Sequence, residues 1–94
     1  SMSAKDLDGF DFDLMQSIVQ QLKAIDTLLA KYKGDIARLE KSMAAQAARE
    51  KINQFVTSVM NVEPAQRHPV LVDFASSVLI YFKKLHIFHK INPF

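Results

Sequence analysis

A heptad repeat of apolar residues constrains the fold of this chain more than any other feature of its sequence. Apolar side chains recur at alternating intervals of four and three residues, at Ile18, Leu22, Ile25, Leu29, Tyr32, Ile36, Leu39 and Met43. This spacing places all of them on one stripe of a helix, as in a coiled coil. The repeat predicts an all-α protein in which this stripe packs against another helix.

Gly34 lies inside the repeat and leaves two arrangements open. In the first, one helix continues from about residue 11 to residue 60, since a glycine inside a helix costs only ~1 kcal/mol relative to alanine. In the second, Gly34 ends one helix and Asp35 caps the next, which gives a monomeric three-helix bundle. The stripe stays in phase on both sides of Gly34, and this favours the continuous helix over the alternative.

The stripe ends at Met43, and a second apolar set follows at Ile52, Phe55, Val59 and Val62. The second set is offset from the first repeat by two residues, or roughly 200° around a helix. The alanine-rich residues between the two sets have high helix propensity, so we expect the helix to continue while its apolar face changes sides.

A loop and a returning helix complete the predicted fold. Residues 61–69 contain two prolines and form the loop, and Pro69 suits the first position of a helix over about residues 70–90. This helix has a broad core face and, on its opposite side, a thinner apolar line of Ile80, Ile87 and Ile91. Residues 11–94 are therefore predicted to form one helical domain after a disordered acidic tail over residues 1–10, in which Ser1 is interpreted as an expression remnant.

A returning helix of this length covers only part of so long a first helix. Burying a Leu or Ile side chain gains roughly 1.5–3 kcal/mol, so an uncovered stripe favours association. We therefore expect a helical hairpin that dimerises into a helical bundle or coiled coil, or that binds a helical protein partner. The stripe of eight residues from Ile18 to Met43 would form the first contact, and Ile80, Ile87 and Ile91 the second.

The composition and the motifs exclude several functions. The chain has 94 residues, no cysteine and a net charge of +2, so thiol chemistry is absent and strong attraction to nucleic acid is not expected. No phosphate-binding glycine loop, activated nucleophile or HExxH motif is present, so we expect no enzyme activity and no small-molecule substrate. No secretory leader and no long apolar run is visible, and we expect a cytoplasmic location.

Two groups of polar residues resemble metal ligands only superficially. The carboxylates from Asp6 to Asp13 surround a glycine in fourth rather than sixth place, which does not fit a calcium loop. His86 and His89 share a helix face, but they have no neighbouring carboxylate and only His68 as a third candidate. We therefore predict no metal and no cofactor.

The chain is thus predicted to be a non-enzymatic interaction or oligomerisation module, such as an adaptor, a scaffold or a small assembly- or secretion-type subunit. Two alternatives come from the C-terminal segment YFKKLHIFHKINPF, which mixes aromatic and cationic residues. It suits binding to an anionic membrane surface or, more weakly, to nucleic acid. No motif in the chain identifies a family.

Overall fold

The computed structural model describes residues 9–88, without the side chain of Phe10, and confirms the all-α prediction. Its helices are α1 (Gly9–Lys31), α2 (Ile36–Lys41), α3 (Met43–Met60) and α4 (Pro69–Leu85), and a 3₁₀ turn covers Pro64–Gln66 in the loop before α4. These described residues contain no strand. The acidic tail predicted over residues 1–10 falls mainly on residues 1–8, which lie outside the described residues.

The chain turns at Gly34, so the predicted continuous helix over residues 11–60 is wrong and the alternative turn is confirmed. The backbone N–H of Gly34 donates to the carbonyl of Leu29 (3.0 Å), and that of Lys33 donates to the carbonyl of Ala30 (3.2 Å). Together these bonds form a Schellman motif, with Lys33 (φ 54°) and Gly34 (φ 81°) in the left-handed region. Asp35 then caps α2 by accepting a hydrogen bond from the N–H of Arg38 at 3.2 Å.

A second interruption occurs at Ser42, in the segment that the sequence predicts to be continuous helix. Ser42 has extended backbone angles, and its N–H donates to the carbonyl of Leu39 at the end of α2. Its hydroxyl accepts a hydrogen bond from the N–H of Ala45 at 3.4 Å, which caps α3. One serine thus ends one helix and begins the next, because its side chain replaces a backbone partner.

The heptad phase continues through the turn because α2 faces the same core as α1. Ile25 on α1 and Leu39 on α2 are both fully buried, and Ile36 is partly buried against the same cluster. The spacing therefore reports which side of the chain is buried, but it does not show that the residues belong to one helix. Helices on either side of a tight turn can share a core while keeping this spacing.

The helices form a three-helix bundle in which α2 and α3 together make the second arm. The rings of Phe55 on α3 and Phe74 on α4 meet edge to face, with centroids 5.6 Å apart, so the C-terminal half of α3 lies beside the N-terminal half of α4. Arg49, near the start of α3, lies over the ring of Phe88, just after α4. Helix α4 is therefore antiparallel to α3. The bond between Tyr81 and Asp26 joins the C-terminal halves of α4 and α1, so these two helices are parallel.

The core lies along α3 and contains small residues as well as large ones. Its fully or almost fully buried members on α3 are Ala45, Ala48, Ile52, Phe55, Val56, Val59 and Met60. The predicted second apolar set is therefore internal, except that Val62 follows the end of α3 and is 41% exposed. The two buried alanines extend this set backwards towards Ser42, a continuation that the larger apolar residues alone do not reveal.

Local bonds hold the loop between α3 and α4. The guanidinium of Arg67 donates to the carbonyl of Met60 (2.6 Å) and to that of Val62 (2.7 Å), so one side chain binds the C-terminal end of α3. The Nδ1 atom of His68 accepts from the N–H of Val70 at 3.2 Å and caps α4. Pro69 occupies the first helical position, as predicted.

Helix α4 ends at Leu85, which is earlier than the predicted boundary near residue 90. His86 adopts the left-handed conformation (φ 56°), and the N–H of Ile87 donates to the carbonyl of Phe82 at 3.4 Å. This is a second Schellman motif, here without a glycine. The chain then bends inward, so that Ile87 and Phe88 are buried.

Candidate protein-interaction surface

The predicted heptad stripe lies mostly inside the bundle of a single chain. Ile18, Ile25 and Leu39 are at most 2% exposed, whereas Leu22, Leu29, Tyr32 and Ile36 are partly buried against the same core. The premise that only a second chain would cover this stripe is therefore wrong, because α3 covers it once the chain has turned at Gly34. A role for these residues in binding a partner stays a prediction.

Met43 is the exception in the stripe, with 85% of its surface exposed. It is the first residue of α3, directly after the break at Ser42. The break changes the helix phase, so the inward-facing position passes to Ala45 and Met43 faces outward. Leu39 and Met43 therefore do not lie on the same face, although they are four residues apart.

The predicted second contact also combines an exposed residue with a buried one. Ile80 lies in the middle of α4 and is 54% exposed, whereas Ile87 is 2% exposed. Ile87 does not lie in line with Ile80, because α4 has already ended when the chain reaches it. Ile91 lies outside the described residues.

Around Ile80, the solvent side of α4 forms a surface that we call the α4 outer face. It consists of four exposed residues and one half-buried serine, namely Asp73, Ser76, Ser77, Ile80 and Lys84. Asp73, Ile80 and Lys84 are seven and four residues apart, so at ~100° per residue they fall within about 40° of one another on the helix. Val72 and Leu79 border this face and are half-buried.

A hydrogen bond to α1 sets the rotation of α4. The hydroxyl of Tyr81 donates to Oδ1 of Asp26 on α1. Burial of the phenol raises the pKa of Tyr81 above its ordinary value, and the hydrogen bond to the Asp26 carboxylate and its negative charge raise that pKa further. Because neighbouring helical residues are ~100° apart, this contact turns Ile80 away from α1.

A shallow groove of about 360 Å³ between α1 and α3 was not predicted from the sequence. Its apolar floor includes Ile18 and Phe55, and its rim includes Lys51. Leu14, Ser17, Gln54 and Ser58 complete the lining. Since its apolar residues already belong to the core pattern, the sequence contains no separate signal for this groove.

The described histidines do not assemble a metal site. His68 caps the start of α4, and His86 caps its end. The 17 residues of α4 separate them by about 26 Å at ~1.5 Å per residue, so His68 is too far from His86 to share a metal ion with it. Within residues 9–88, no three His, Cys, Asp or Glu side chains are grouped closely enough to hold a metal ion, and His89 lies outside this range.

The two described phenylalanines of the C-terminal segment pack inward. Phe82 and Phe88 are at most 5% exposed, and their ring centroids are 5.6 Å apart. Stacking of nucleic-acid bases requires accessible ring faces, which these two residues do not offer. The exposed groups in this part of α4 are instead Ile80 and the two cations Lys83 and Lys84.

Searches of protein-family models, curated protein sequences and solved structures found no match to this chain. None of the helices in the described range is both long enough and apolar enough to span a bilayer.

Proposed function

We propose that this protein is a non-enzymatic helical interaction module that binds another helical chain through the α4 outer face. The observation that carries the proposal is the exposure of Ile80, a large apolar side chain that is 54% exposed in the middle of α4, whereas Val78 and Phe82 beside it are buried in the core. The role in the cell would be that of an adaptor, a scaffold or a small assembly- or secretion-type subunit.

The size of the apolar surface sets the expected strength of binding. Covering a whole isoleucine side chain gains roughly 1.5–3 kcal/mol, so covering the exposed half of Ile80 contributes about 1 kcal/mol. Val72 and Leu79, which are half-buried at the border of the face, add further apolar area. Such a small apolar centre supports weak and reversible binding rather than a permanent complex.

The form of the surface favours a helix as the binding partner. The residues of this face at i, i+3, i+4 and i+7 form a narrow ridge with small serines beside Ile80. A second helix can lie along such a ridge and place its own apolar side chains over the serines. Charged residues at both ends of the ridge then lie at the rim of the contact, where they select the partner.

A selection from displayed helical hairpins tests this function. The library would vary one helix face, and the wild-type protein would be the bait. We expect enriched hairpins to lose binding when the bait carries Ile80→Glu, because this change places a charge in the apolar centre. The bait Ala47→Glu is the matched control, since Ala47 is an exposed residue on α3. Failure to enrich any hairpin, or equal binding to both variants, would overturn the proposal.

A second candidate function is binding to an anionic membrane surface. Lys83 and Lys84 are both exposed in the last turn of α4 and flank Ile80, a combination of cations and an apolar residue that suits anionic lipid head groups. Co-sedimentation with phosphatidylserine vesicles would test it. Binding that is reduced by Lys83→Glu with Lys84→Glu, and absent for neutral vesicles, would support this function, whereas no binding to the anionic vesicles at low salt would exclude it.

A further inference from the structure

We propose that the helical partner of α4 is a second copy of this chain, and that the two α4 helices pair antiparallel about a twofold axis. This inference rests on the proposed function and specifies its partner. It comes from the order of residues along the α4 outer face, with an acid near one end, Ile80 between and a base near the other end. Asp73 lies in the N-terminal half of α4, and Lys84 is the next-to-last residue of the helix.

The positions of Asp73 and Lys84 fit a self-complementary pair. They are eleven residues apart, so they differ by only about 20° around the helix and lie on the same flank of the outer face. In an antiparallel pair related by a twofold axis, the same flank of both helices meets. Asp73 of each copy then lies opposite Lys84 of the other, and the contact contains two equivalent ion pairs.

The same register brings each Ile80 opposite small residues. When Asp73 is level with Lys84 of the second copy, the axis passes between residues 78 and 79, and Ile80 lies opposite Ser76 and Ser77 of the second copy. Small side chains leave room for a large one, which is the arrangement that helix packing requires. The hydroxyl of Ser77 already donates to the carbonyl of Asp73 at 2.9 Å, so covering it leaves no unsatisfied donor.

Charge also disfavours the parallel arrangement. A parallel pair places Asp73 beside Asp73 and Lys84 beside Lys84, so that like charges meet at both ends of the contact. Within residues 9–88, neither Asp73 nor Lys84 takes part in an ion pair, and both side chains are exposed. As far as residues 9–88 are concerned, both groups are thus available to a second copy without breaking an ion pair.

Sedimentation equilibrium from micromolar to millimolar concentration tests the pairing. We expect the wild-type mass to rise from that of one chain to that of two, and the Ile80→Glu variant to remain a monomer. Asp73→Lys and Lys84→Asp should each weaken dimerisation roughly tenfold, because each change turns two opposed ion pairs into two like-charge pairs. Glu50→Lys, a charge reversal at an exposed position of α3, is the matched control and should dimerise like the wild type.

The two charge variants and their equal mixture together test the register. In a parallel pair, neither Asp73→Lys nor Lys84→Asp alone would dimerise less well than the wild type, because the wild type would already oppose like charges. In an antiparallel pair of the two variants, every lysine at position 73 or 84 faces an aspartate, so the mixture should dimerise about as well as the wild type. The helix content of each variant, measured by circular dichroism, shows that a loss of dimer is not a loss of folding. If either charge variant unfolds, the mass of the Ile80→Glu variant still tests the pairing, because this variant leaves both charged positions unchanged.

Three results would overturn this inference. They are a wild-type protein that stays monomeric at millimolar concentration, a dimer that tolerates Ile80→Glu, and a mixture that dimerises no better than its components. If the wild type is monomeric while displayed hairpins bind in an Ile80-dependent manner, only the second copy is excluded and the proposed function stands. If both experiments fail, both proposals are excluded.

Discussion

Replacing Gly34 by alanine separates the observed turn from a continuous helix by the sign of its effect on stability. In the turn, Gly34 has a φ of 81°, and no atom lies within 4 Å of an added Cβ, so alanine would cause backbone strain without a steric clash. The left-handed conformation costs a non-glycine residue about 1–2 kcal/mol, so the free energy of unfolding should fall by that amount. In a continuous helix the same change would stabilise the protein by ~1 kcal/mol, because alanine has the higher helix propensity.

Urea denaturation followed by circular dichroism measures this difference. A loss of 1 kcal/mol should lower the midpoint temperature of a domain of this size by about 4–8 °C in a parallel thermal scan. Gly34→Asn should lose less than Gly34→Ala, since asparagine tolerates the left-handed region better. Gly9→Ala is the control, because Gly9 begins α1 and its Cβ would also meet no atom within 4 Å, but its φ is not positive. A Gly34→Ala variant that is more stable than the wild type would refute the turn.

Three further changes test the packing of the bundle. Tyr81→Phe should cost ~1 kcal/mol at neutral pH through loss of the bond to Asp26. The pKa of Tyr81 is higher in the folded than in the unfolded state, so the unfolded phenol loses its proton first as pH rises above about 10. The folded state then binds more protons, and the stability advantage of the wild type over Tyr81→Phe should shrink. A difference in unfolding free energy that stays constant up to pH 11 would contradict this. Arg67→Lys should lower the unfolding free energy by roughly 1–2 kcal/mol, because lysine cannot bond both the Met60 and Val62 carbonyls with the geometry of a guanidinium. An unchanged midpoint in urea denaturation would contradict this. Leu39→Ala, at a fully buried position, should lower the unfolding free energy by about 2–5 kcal/mol in the same assay, and a loss below 1 kcal/mol would show that α2 is not packed as described.

The helical class and most core positions follow from periodicity alone, because the side of a helix that faces the core must be apolar. Periodicity places Ile18, Ile25 and Leu39 on a stripe that packs against a helix, although the sequence predicts that this stripe contacts a second chain. It also places Ile52 and Phe55 on the second apolar set. Periodicity does not reveal where the chain turns, since helices on either side of a tight turn can face one core. The residues that mark the turns lie outside the apolar pattern. They are Gly34 with the capping residue Asp35, and the capping residue Ser42.

The candidate surface was only partly predictable for a related reason. Ile80 was identified because it lies in the middle of α4, where helical spacing holds on both sides. Ile87 was assigned to the same line by extending that spacing past residue 85. The helix ends there with His86 in a left-handed conformation, and histidine is not a residue that marks this position as strongly as glycine does. Asp73 and Lys84 lie within both the predicted and the observed helix, so their register is visible in the sequence alone.

The exposure of Ile80 is linked to the stability of the bundle through the residue that follows it. Tyr81 is held by Asp26 on α1, and a rotation of α4 that buried Ile80 would move Tyr81 by a similar angle and break this bond. The same rotation would displace Val78 and Phe82, which are at most 3% exposed and pack in the core. Turning Ile80 inward would therefore break one interhelical hydrogen bond and expose Val78 and Phe82. In return it would bury only about half of one isoleucine side chain. The internal contacts of the bundle thus keep Ile80 on the outside, and only a contact from outside the described bundle can cover it without disturbing the core.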